Sequence, residues 1–284
     1  MKTSFNLISF FIASNIYVSL AVTCLTYLSM EIYGLENYFL LGFVFFATLF
    51  SYNLIRLVPF EQDIVNIISN RYIFINDFKI YPWAIVFFSG LISIYFVFPI
   101  YKSIFFPLIF SSVLSMAYGF PLMRFKSSWI RMREVPGLKI FFIALVWTIV
   151  TEGFPNLLAH KEWVILPFLE RFLFVLAITI PFDIRDLKLD GEEIHTIPQF
   201  LGIKRAKSLG IICIVISELI LAYRTFFEGE INLFGCLAIY LCYEVAIVLI
   251  YFSREEMSEW YTSLGVEGVS ILMGLLFLIS QLIH

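Results

Sequence analysis

The chain alternates long runs of apolar residues with short polar breaks, and this pattern predicts membrane-spanning helices. A helix needs roughly 20 predominantly apolar residues to cross the hydrocarbon core of a bilayer. Successive runs of about this length predict spans at 6–29, 38–58, 82–100, 103–119, 137–153, 163–182, 208–226, 231–252 and 262–283. We therefore expect an all-α polytopic membrane protein of about nine transmembrane helices, in which residues 1–284 form a single helical domain.

The composition supports this interpretation and excludes two other classes of protein. Hydrophobic residues make up 61% of the 284 residues and charged residues 14%, which is too much apolar surface for a soluble core of this size. The basic residues are scattered among loops, so nucleic acid is not an expected partner. The four cysteines all lie in apolar runs without CxxC spacing, so we interpret them as core residues rather than zinc ligands.

The distribution of Lys and Arg predicts the orientation of the chain in the membrane. When the polar breaks are assigned to alternate sides, 15 of the 19 basic residues fall on one side. Cytoplasmic loops retain an excess of positive charge. The sequence therefore predicts a multi-pass protein of the plasma or inner membrane with a cytoplasmic N-terminus and an external C-terminus. The longer segments 59–81, 120–136 and 183–207 would be cytoplasmic, and we expect the functional site on that face.

Three aspartates after the sixth predicted span are the strongest candidates for a site. Asp183, Asp186 and Asp190 would lie along one helical face if the span continued beyond its predicted end. A row of carboxylates needs a compensating cation, and hard oxygen ligands favour Mg²⁺, which often bridges protein carboxylates and substrate phosphates. On spacing alone, a solvated loop in which the acids pair with Arg185 and Lys188 explains the row equally well.

Other polar residues near the predicted span ends have both a functional and a structural interpretation. Arg56 could extend to the membrane interface, but Asn53 lies one turn deeper and needs a hydrogen-bond partner. Tyr118 is either an interfacial tyrosine or part of a site. The basic loop after it fits the charge asymmetry or phosphate binding, and it contains Arg124, Lys126, Arg131 and Arg133.

Several glutamates fall in or near the predicted spans, namely Glu152, Glu218, Glu244 and Glu267. An acid inside a membrane is a functional candidate by default, and an ion-coupled carrier would use such residues. A glutamate that is protonated, or bonded to a neighbouring helix, is an equally good explanation.

The acidic row and the residues after it resemble a known family motif. They read Asp183-x-x-Asp186-x-x-x-Asp190-Gly191 and then Thr196-x-Pro198-x-x-Leu201-Gly202. This sequence resembles the second aspartate-rich motif of the UbiA superfamily of intramembrane prenyltransferases, which follows the sixth helix. The segment Tyr118-Gly-x-Pro121 is similar to the loop after the family's fourth helix. The pattern of spans matches over the whole chain, whereas the specific motif covers about twenty residues.

The resemblance implies a UbiA-type helical bundle with a specific activity. In the family, two aspartate-rich motifs hold Mg²⁺, which binds the diphosphate of a polyprenyl donor, and a lipid-soluble acceptor captures the allylic cation. By resemblance, Asp183 and Asp186 would be catalytic metal ligands, and Asp190 would bind the metal through water. The implied substrate-binding residues are Asn53 beside the metal, Tyr118, and the diphosphate contacts Arg56, Lys126 and Lys204.

The first aspartate-rich motif of the family is degenerate in this chain. Alignment puts Asn53, Arg56 and Phe60 where the family has aspartates, so half of the metal site is missing. We expect Mg²⁺-dependent prenyl transfer to a lipid-soluble acceptor. The alternatives are an inactive prenyl-lipid-binding relative, a diphosphate lyase or cyclase, and an ion-coupled carrier.

Overall fold

Long apolar helices joined by short connections make up most of the structure, which is a computed structural model. It describes residues 7–57, 80–125, 128–135, 137–159, 165–187 and 196–283. In chain order the helices are α1 (Leu7–Ala13), α2 (Ile16–Tyr33), α3 (Tyr38–Leu57), α4 (Ile80–Val97), α5 (Phe105–Gly119), α6 (Leu138–Leu158), α7 (Ile165–Asp186), α8 (Ile197–Leu201), α9 (Ile203–Phe226), α10 (Leu233–Phe252) and α11 (Tyr261–Leu282).

Nine of these helices correspond one to one with the nine predicted spans. In the part of the chain that the structure describes, eight of them are long and apolar enough to cross a membrane. The ninth, α5, has 15 residues, so its length of roughly 22 Å requires a locally thinner bilayer or flanking interfacial residues. The prediction of an all-α integral membrane protein is therefore confirmed.

The predicted boundaries of the first span are wrong. The chain breaks after α1, where Asn15 adopts a left-handed conformation with φ 63°, and α2 then continues to Tyr33. Gly34, also left-handed with φ 64°, ends α2, and its N–H donates to the carbonyl of Glu31. The residues around Ser14 and Asn15 are apolar on both sides, so hydrophobicity alone does not reveal the break.

The packing order of the helices closes a ring. Helix α2 contacts α3, α6 and α11, so the first and last spans are neighbours. From α6 the contacts run through α7, α9 and α10 to α11, and α4 packs on α3. Helices α6 and α7 are the most buried spans, whereas α4 lies at the periphery. Polar residues on α6 and α7 are therefore shielded by the helices around them.

A short β-hairpin and a 3₁₀ turn lead from α5 into α6. Strands β1 (Met123–Phe125) and β2 (Ser128–Ile130) pair antiparallel, and the turn Met132–Glu134 follows. Arg131 is 4% exposed, and its Nε lies 2.6 Å from Oε1 of Glu134, while its backbone N–H donates to Oε2 of the same carboxylate. This folded connection fixes the start of α6.

Two spans contain a π-helical turn, in which one extra residue is accommodated. The first turn, Ile149–Gly153 within α6, carries Glu152. The second turn, Tyr261–Val266 at the start of α11, carries Thr262. Both residues make polar contacts with other helices. Each turn therefore changes the direction in which its helix presents these polar residues to the neighbouring helices.

Candidate functional site

The end of helix α7 brings two of the three predicted aspartates together. The helix continues past Pro181 to Asp186, beyond the predicted end at residue 182. Asp183 and Asp186 therefore lie one turn apart on the same face, as their spacing predicts. The side chain of Asp183 is 2% exposed and that of Asp186 is 21% exposed. We call this end of the bundle the acidic end.

Two basic side chains contact the acidic pair. Nζ of Lys139, in the first turn of α6, lies 3.0 Å from Oδ1 of Asp183 and 3.9 Å from Oδ2 of Asp186. Nε of Arg185 donates to Oδ1 of Asp186 at 2.7 Å, and its NH1 donates to Oγ1 of Thr262 at 2.6 Å. The two carboxylates and the two cations form a cluster between α6, α7 and α11, and the charges of Glu259 and Glu267 also act on Arg185.

Lys139 is the residue of this cluster that the sequence interpretation missed. It entered only the count of basic residues, although it lies inside the predicted span 137–153. Its partner Asp183 is 44 positions away in the sequence, so no local motif joins them. The available signal was a charged residue inside the first turn of a helix that is otherwise apolar, because such a charge needs a partner.

The acidic pair has the chemistry to hold one divalent cation. Oδ1 of Asp183 is buried and, apart from its ion pair with Lys139, has no partner among the residues that the structure describes. Hard carboxylate oxygens at the end of a helix suit Mg²⁺, which completes its coordination with water and phosphate oxygens. Among the described residues, however, no group of three or more His, Cys, Asp or Glu side chains could surround a metal. Asp190 lies outside the described residues.

Asn53 is bonded to a different part of the bundle. Its Nδ2 donates to the carbonyl of Ser14 at 2.9 Å and to that of Leu49 at 2.8 Å. Its Oδ1 accepts a hydrogen bond from Nδ2 of Asn15 at 3.0 Å. The asparagine is 4% exposed. These three bonds supply the hydrogen-bond partners that a polar side chain at this depth in a span needs. They fasten α3 to the break between α1 and α2, and none of these three bonds is to the acidic pair.

The other predicted substrate-binding residues lie near helix ends. Arg56 is half-buried in the last turn of α3, and Tyr118 is half-buried in the last turn of α5. Lys204 is exposed in the first turn of α9, and Lys126 falls outside the described residues. One turn before Arg56, the hydroxyl of Tyr52 accepts a hydrogen bond from Nε1 of Trp147 at 3.0 Å. This bond links α3 to α6, the helix that carries Lys139.

A second polar cluster surrounds Glu152, in the half of α6 away from the acidic end. Oγ of Ser29 donates to Oε2 of Glu152 at 2.5 Å, and the hydroxyl of Tyr33 donates to Oε1. NH2 of Arg171 lies 3.6 Å from Oε2. Glu152 is 4% exposed and bonded to two other helices. It therefore has the contacts of a structural carboxylate, which weakens the interpretation of the chain as an ion carrier.

Glu170 and Arg224 extend this cluster towards α9 and α10. NH1 of Arg224 donates to Oε2 of Glu170 at 2.6 Å, and Nε of Arg224 donates to Glu230 at 2.9 Å. The hydroxyl of Tyr243 donates to Oε1 of Glu170 at 2.7 Å. Glu170 is 5% exposed and Arg224 3%. We call these residues, together with Glu152, Arg171, Ser29 and Tyr33, the far cluster.

Solved structures of UbiA homologs have a similar arrangement of helices over nearly the whole chain. No family model matches the sequence, and no curated protein matches it. The apo structure of a UbiA homolog from Aeropyrum pernix K1 has a TM-score of 0.66 at 13% identity, covering 94% of this chain and 98% of that one.

Two structures of a UbiA homolog from Archaeoglobus fulgidus are similar as well. The structure bound to GPP and Mg²⁺ has a TM-score of 0.64 at 14% identity and covers 95% of this chain and 99% of the other. The structure bound to DMAPP and Mg²⁺ has a TM-score of 0.61 at 14% identity, with coverage of 97% and 100%. The fold that the aspartate motif predicted is therefore confirmed, and this chain has the fold of the UbiA homologs.

Proposed function

We propose that the chain transfers a prenyl group from a polyprenyl diphosphate to a lipid-soluble acceptor within the membrane, with Mg²⁺ at Asp183 and Asp186. The observation that carries this proposal is the acidic pair of buried Asp183 and half-buried Asp186 at the end of α7 in a chain with the UbiA fold. Support also comes from the Archaeoglobus fulgidus homolog, which was solved with a prenyl diphosphate and Mg²⁺.

The residues of the acidic end fit the demands of such a transfer. A bound Mg²⁺ would supply positive charge to offset the charge that develops on the leaving diphosphate. Asp183 and Asp186 would hold the metal, and Lys139 and Arg185 would offset part of the negative charge around it. The allylic carbon–oxygen bond breaks, and its electron pair leaves with the diphosphate. The acceptor then forms the new bond to the allylic carbon and releases its proton to diphosphate or water.

The degenerate first motif changes how the diphosphate would be held. A carboxylate recruits a metal to meet phosphate, whereas a guanidinium meets phosphate oxygens directly through two parallel hydrogen bonds. We propose that Arg56 binds the diphosphate in this way and takes over part of the charge of a second metal ion. Lys126, Lys204 and Tyr118 are the further proposed substrate contacts, and Asp190 would bind the metal through water.

Diphosphate release from a labelled donor tests the proposal. The purified protein in lipid nanodiscs is incubated with radiolabelled geranyl diphosphate and a membrane lipid extract, with Mg²⁺ or with EDTA. We expect Mg²⁺-dependent release of diphosphate and transfer of label into the lipid fraction. Both signals should be lost in the Asp183→Ala variant and kept in Lys102→Met, a matched variant of an exposed residue outside the site. Wild-type protein that neither binds nor cleaves the donor would refute the proposal.

A catalytically inactive prenyl-lipid-binding protein is the second candidate. The observation that favours it is the internal bonding of Asn53, whose amide is satisfied by Ser14, Leu49 and Asn15. The first motif then contributes no carboxylate to a metal site. The same experiment separates the two functions, since tight Mg²⁺-dependent donor binding without diphosphate release indicates the inactive protein.

A further inference from the structure

We propose that Lys139 is an exchangeable counter-ion of the acidic pair. Without substrate, its ammonium takes the position between Asp183 and Asp186 that a metal ion would occupy. When metal and diphosphate bind together, the ammonium leaves the carboxylates and binds a diphosphate oxygen. This inference rests on the proposed function, because it assumes that a divalent metal and a diphosphate meet at the acidic end.

The position of Lys139 is the first argument. Its Nζ lies 3.0 Å from Asp183 and 3.9 Å from Asp186, so one ammonium contacts both carboxylates. A magnesium ion bound by both would lie roughly 2.1 Å from an oxygen of each. The ammonium and the metal would therefore compete for the same space and the same oxygens.

Charge balance is the second argument. Lys139 and Arg185 offset the two carboxylates, and Glu259 and Glu267 add negative charge that acts on Arg185. A divalent metal held by both carboxylates would lie beside the ammonium of Lys139, and two neighbouring cations in a poorly hydrated place repel each other. A diphosphate brings about three negative charges, which offset the charges of the metal and the ammonium together. Lys139 therefore opposes binding of the metal alone and favours joint binding of metal and diphosphate.

The difference in anchoring between the two cations is the third argument. Arg185 is fixed on two sides, because NH1 donates to Thr262 at 2.6 Å and its guanidinium lies 5.4 Å from the ring centre of Phe182. The two side chains are similarly exposed, 21% for Lys139 and 18% for Arg185, so the difference between them lies in their chemistry. The flexible four-carbon stem of Lys139 allows its ammonium to change partners, whereas the planar guanidinium of Arg185 is held in one geometry. Lys139 is therefore the cation better suited to exchange.

Binding of Mn²⁺, followed by electron paramagnetic resonance, tests the exchange without turnover. The purified protein in nanodiscs is titrated with Mn²⁺, alone and with inorganic diphosphate. In the wild type, diphosphate should strengthen Mn²⁺ binding, and Mn²⁺ should strengthen diphosphate binding by the same factor. Lys139→Gln removes the charge while its amide can still donate to the buried carboxylate. We expect this variant to bind Mn²⁺ alone about ten-fold more tightly, and diphosphate in the presence of Mn²⁺ about ten-fold more weakly.

Two further variants control the experiment. Lys139→Arg keeps the charge and should bind Mn²⁺ alone like the wild type. Lys102→Met removes an exposed lysine away from the acidic pair and should change neither affinity. The proposal is overturned if Lys139→Gln binds Mn²⁺ no more tightly than the wild type, or if it binds both Mn²⁺ and diphosphate more weakly.

A third variant, Lys139→Met, tests the proposal through its melting temperature, and this test remains informative if the loss of Lys139 destabilises the fold. Lys139→Met leaves Asp183 as a buried charge without its partner, so this variant should be unstable without metal. Mn²⁺ should then raise its melting temperature more than that of the wild type, and an equal effect on both would contradict the exchange. A wild type that releases no diphosphate from geranyl diphosphate refutes only the proposed function. The exchange is tested separately, because the affinities of Lys139→Gln for Mn²⁺ and for diphosphate are measured without turnover.

Discussion

Asp183 and Asp186 differ in burial and in partners, and this difference predicts unequal roles. Asp183 is 2% exposed and its buried Oδ1 pairs with Lys139, whereas Asp186 is 21% exposed and also held by Arg185. We expect Asp183→Ala and Asp186→Ala each to abolish Mg²⁺-dependent binding of geranyl diphosphate, a loss of roughly 2–4 kcal/mol. Asp190→Ala should weaken binding less. Equilibrium binding with and without Mg²⁺ measures this, and wild-type affinity in all three variants would show that the acidic pair is only structural.

Arg56 decides whether the altered first motif still binds substrate. If its guanidinium contacts the diphosphate, Arg56→Ala should raise the dissociation constant for geranyl diphosphate by roughly ten- to a hundred-fold, or about 1.4–3 kcal/mol. Arg56→Lys should recover only part of this affinity, because an ammonium cannot make the two parallel hydrogen bonds of a guanidinium. Isothermal titration in nanodiscs measures both values. Unchanged affinity in Arg56→Ala would mean that this residue has no role in donor binding.

At the scale of residues, the sequence predicted the acidic pair but not its counter-ion. The spacing of Asp183 and Asp186 on one helical face is a local property, and it could therefore be read from the chain. Lys139 pairs with Asp183 across a large sequence separation, so only the packing of α6 on α7 reveals it. The partners of Asn53 were hidden for the same reason, since they belong to the break before α2.

At the scale of elements, the hydrogen bonds of Asn53 fasten α3 to that break. Asn53→Asp restores a family-like acid, but its second oxygen would face the carbonyls of Ser14 and Leu49, which now accept hydrogen bonds from Nδ2. We expect Asn53→Asp and Asn53→Ala each to cost about 1–3 kcal/mol of stability, the usual effect of losing buried hydrogen bonds. Thermal unfolding in nanodiscs measures this cost. An Asp variant as stable as the wild type would show that the amide can be replaced.

The element boundaries were predictable only where polarity changes along the chain. Hydrophobic runs located all nine spans, because each run is bounded by polar residues. They could not locate the break at Asn15, which depends on one left-handed residue within an apolar stretch. They could not show that α7 continues past Pro181, because a proline in a hydrophobic run is compatible with either a kink or an end. The same limit applies to the π-helical turns of α6 and α11.

At the scale of the whole molecule, the far cluster joins five of the spans through buried charges. Arg224→Met would leave the buried carboxylate of Glu170 without its cation, and we expect this to cost about 3–5 kcal/mol. The double variant Arg224→Met with Glu170→Gln should recover most of the loss, because the one carboxylate left without its cation is Glu230, whose side chain is 28% exposed and reaches water. Melting temperatures measure the coupling, with exposed Arg254→Met as the control. Additive losses in the double variant would contradict the pairing.

The far cluster and the acidic end also make separable predictions about function. Glu170 precedes Asp183 by 13 residues on α7, which is roughly 20 Å along a helix. Changes in the far cluster should therefore lower stability while leaving the Mg²⁺ dependence of donor binding unchanged in the molecules that remain folded. This expectation distinguishes a structural cluster from the ion pathway of a carrier, in which neutralising Glu152 would abolish transport.

The last prediction concerns the orientation of the whole bundle in the membrane. It follows from the uneven distribution of Lys and Arg between the connections on the two sides. The predicted spans assign 15 of the 19 basic residues to the side of the acidic end, so we expect this end to face the cytoplasm. The two exposed positions Glu228, between α9 and α10, and Ser258, between α10 and α11, lie at opposite ends of α10. In a variant without native cysteines, Glu228→Cys should react with an impermeant maleimide in intact cells, and Ser258→Cys only after permeabilisation. The reverse pattern would invert the predicted orientation, and labelling of both cysteines in intact cells would exclude α10 as a span.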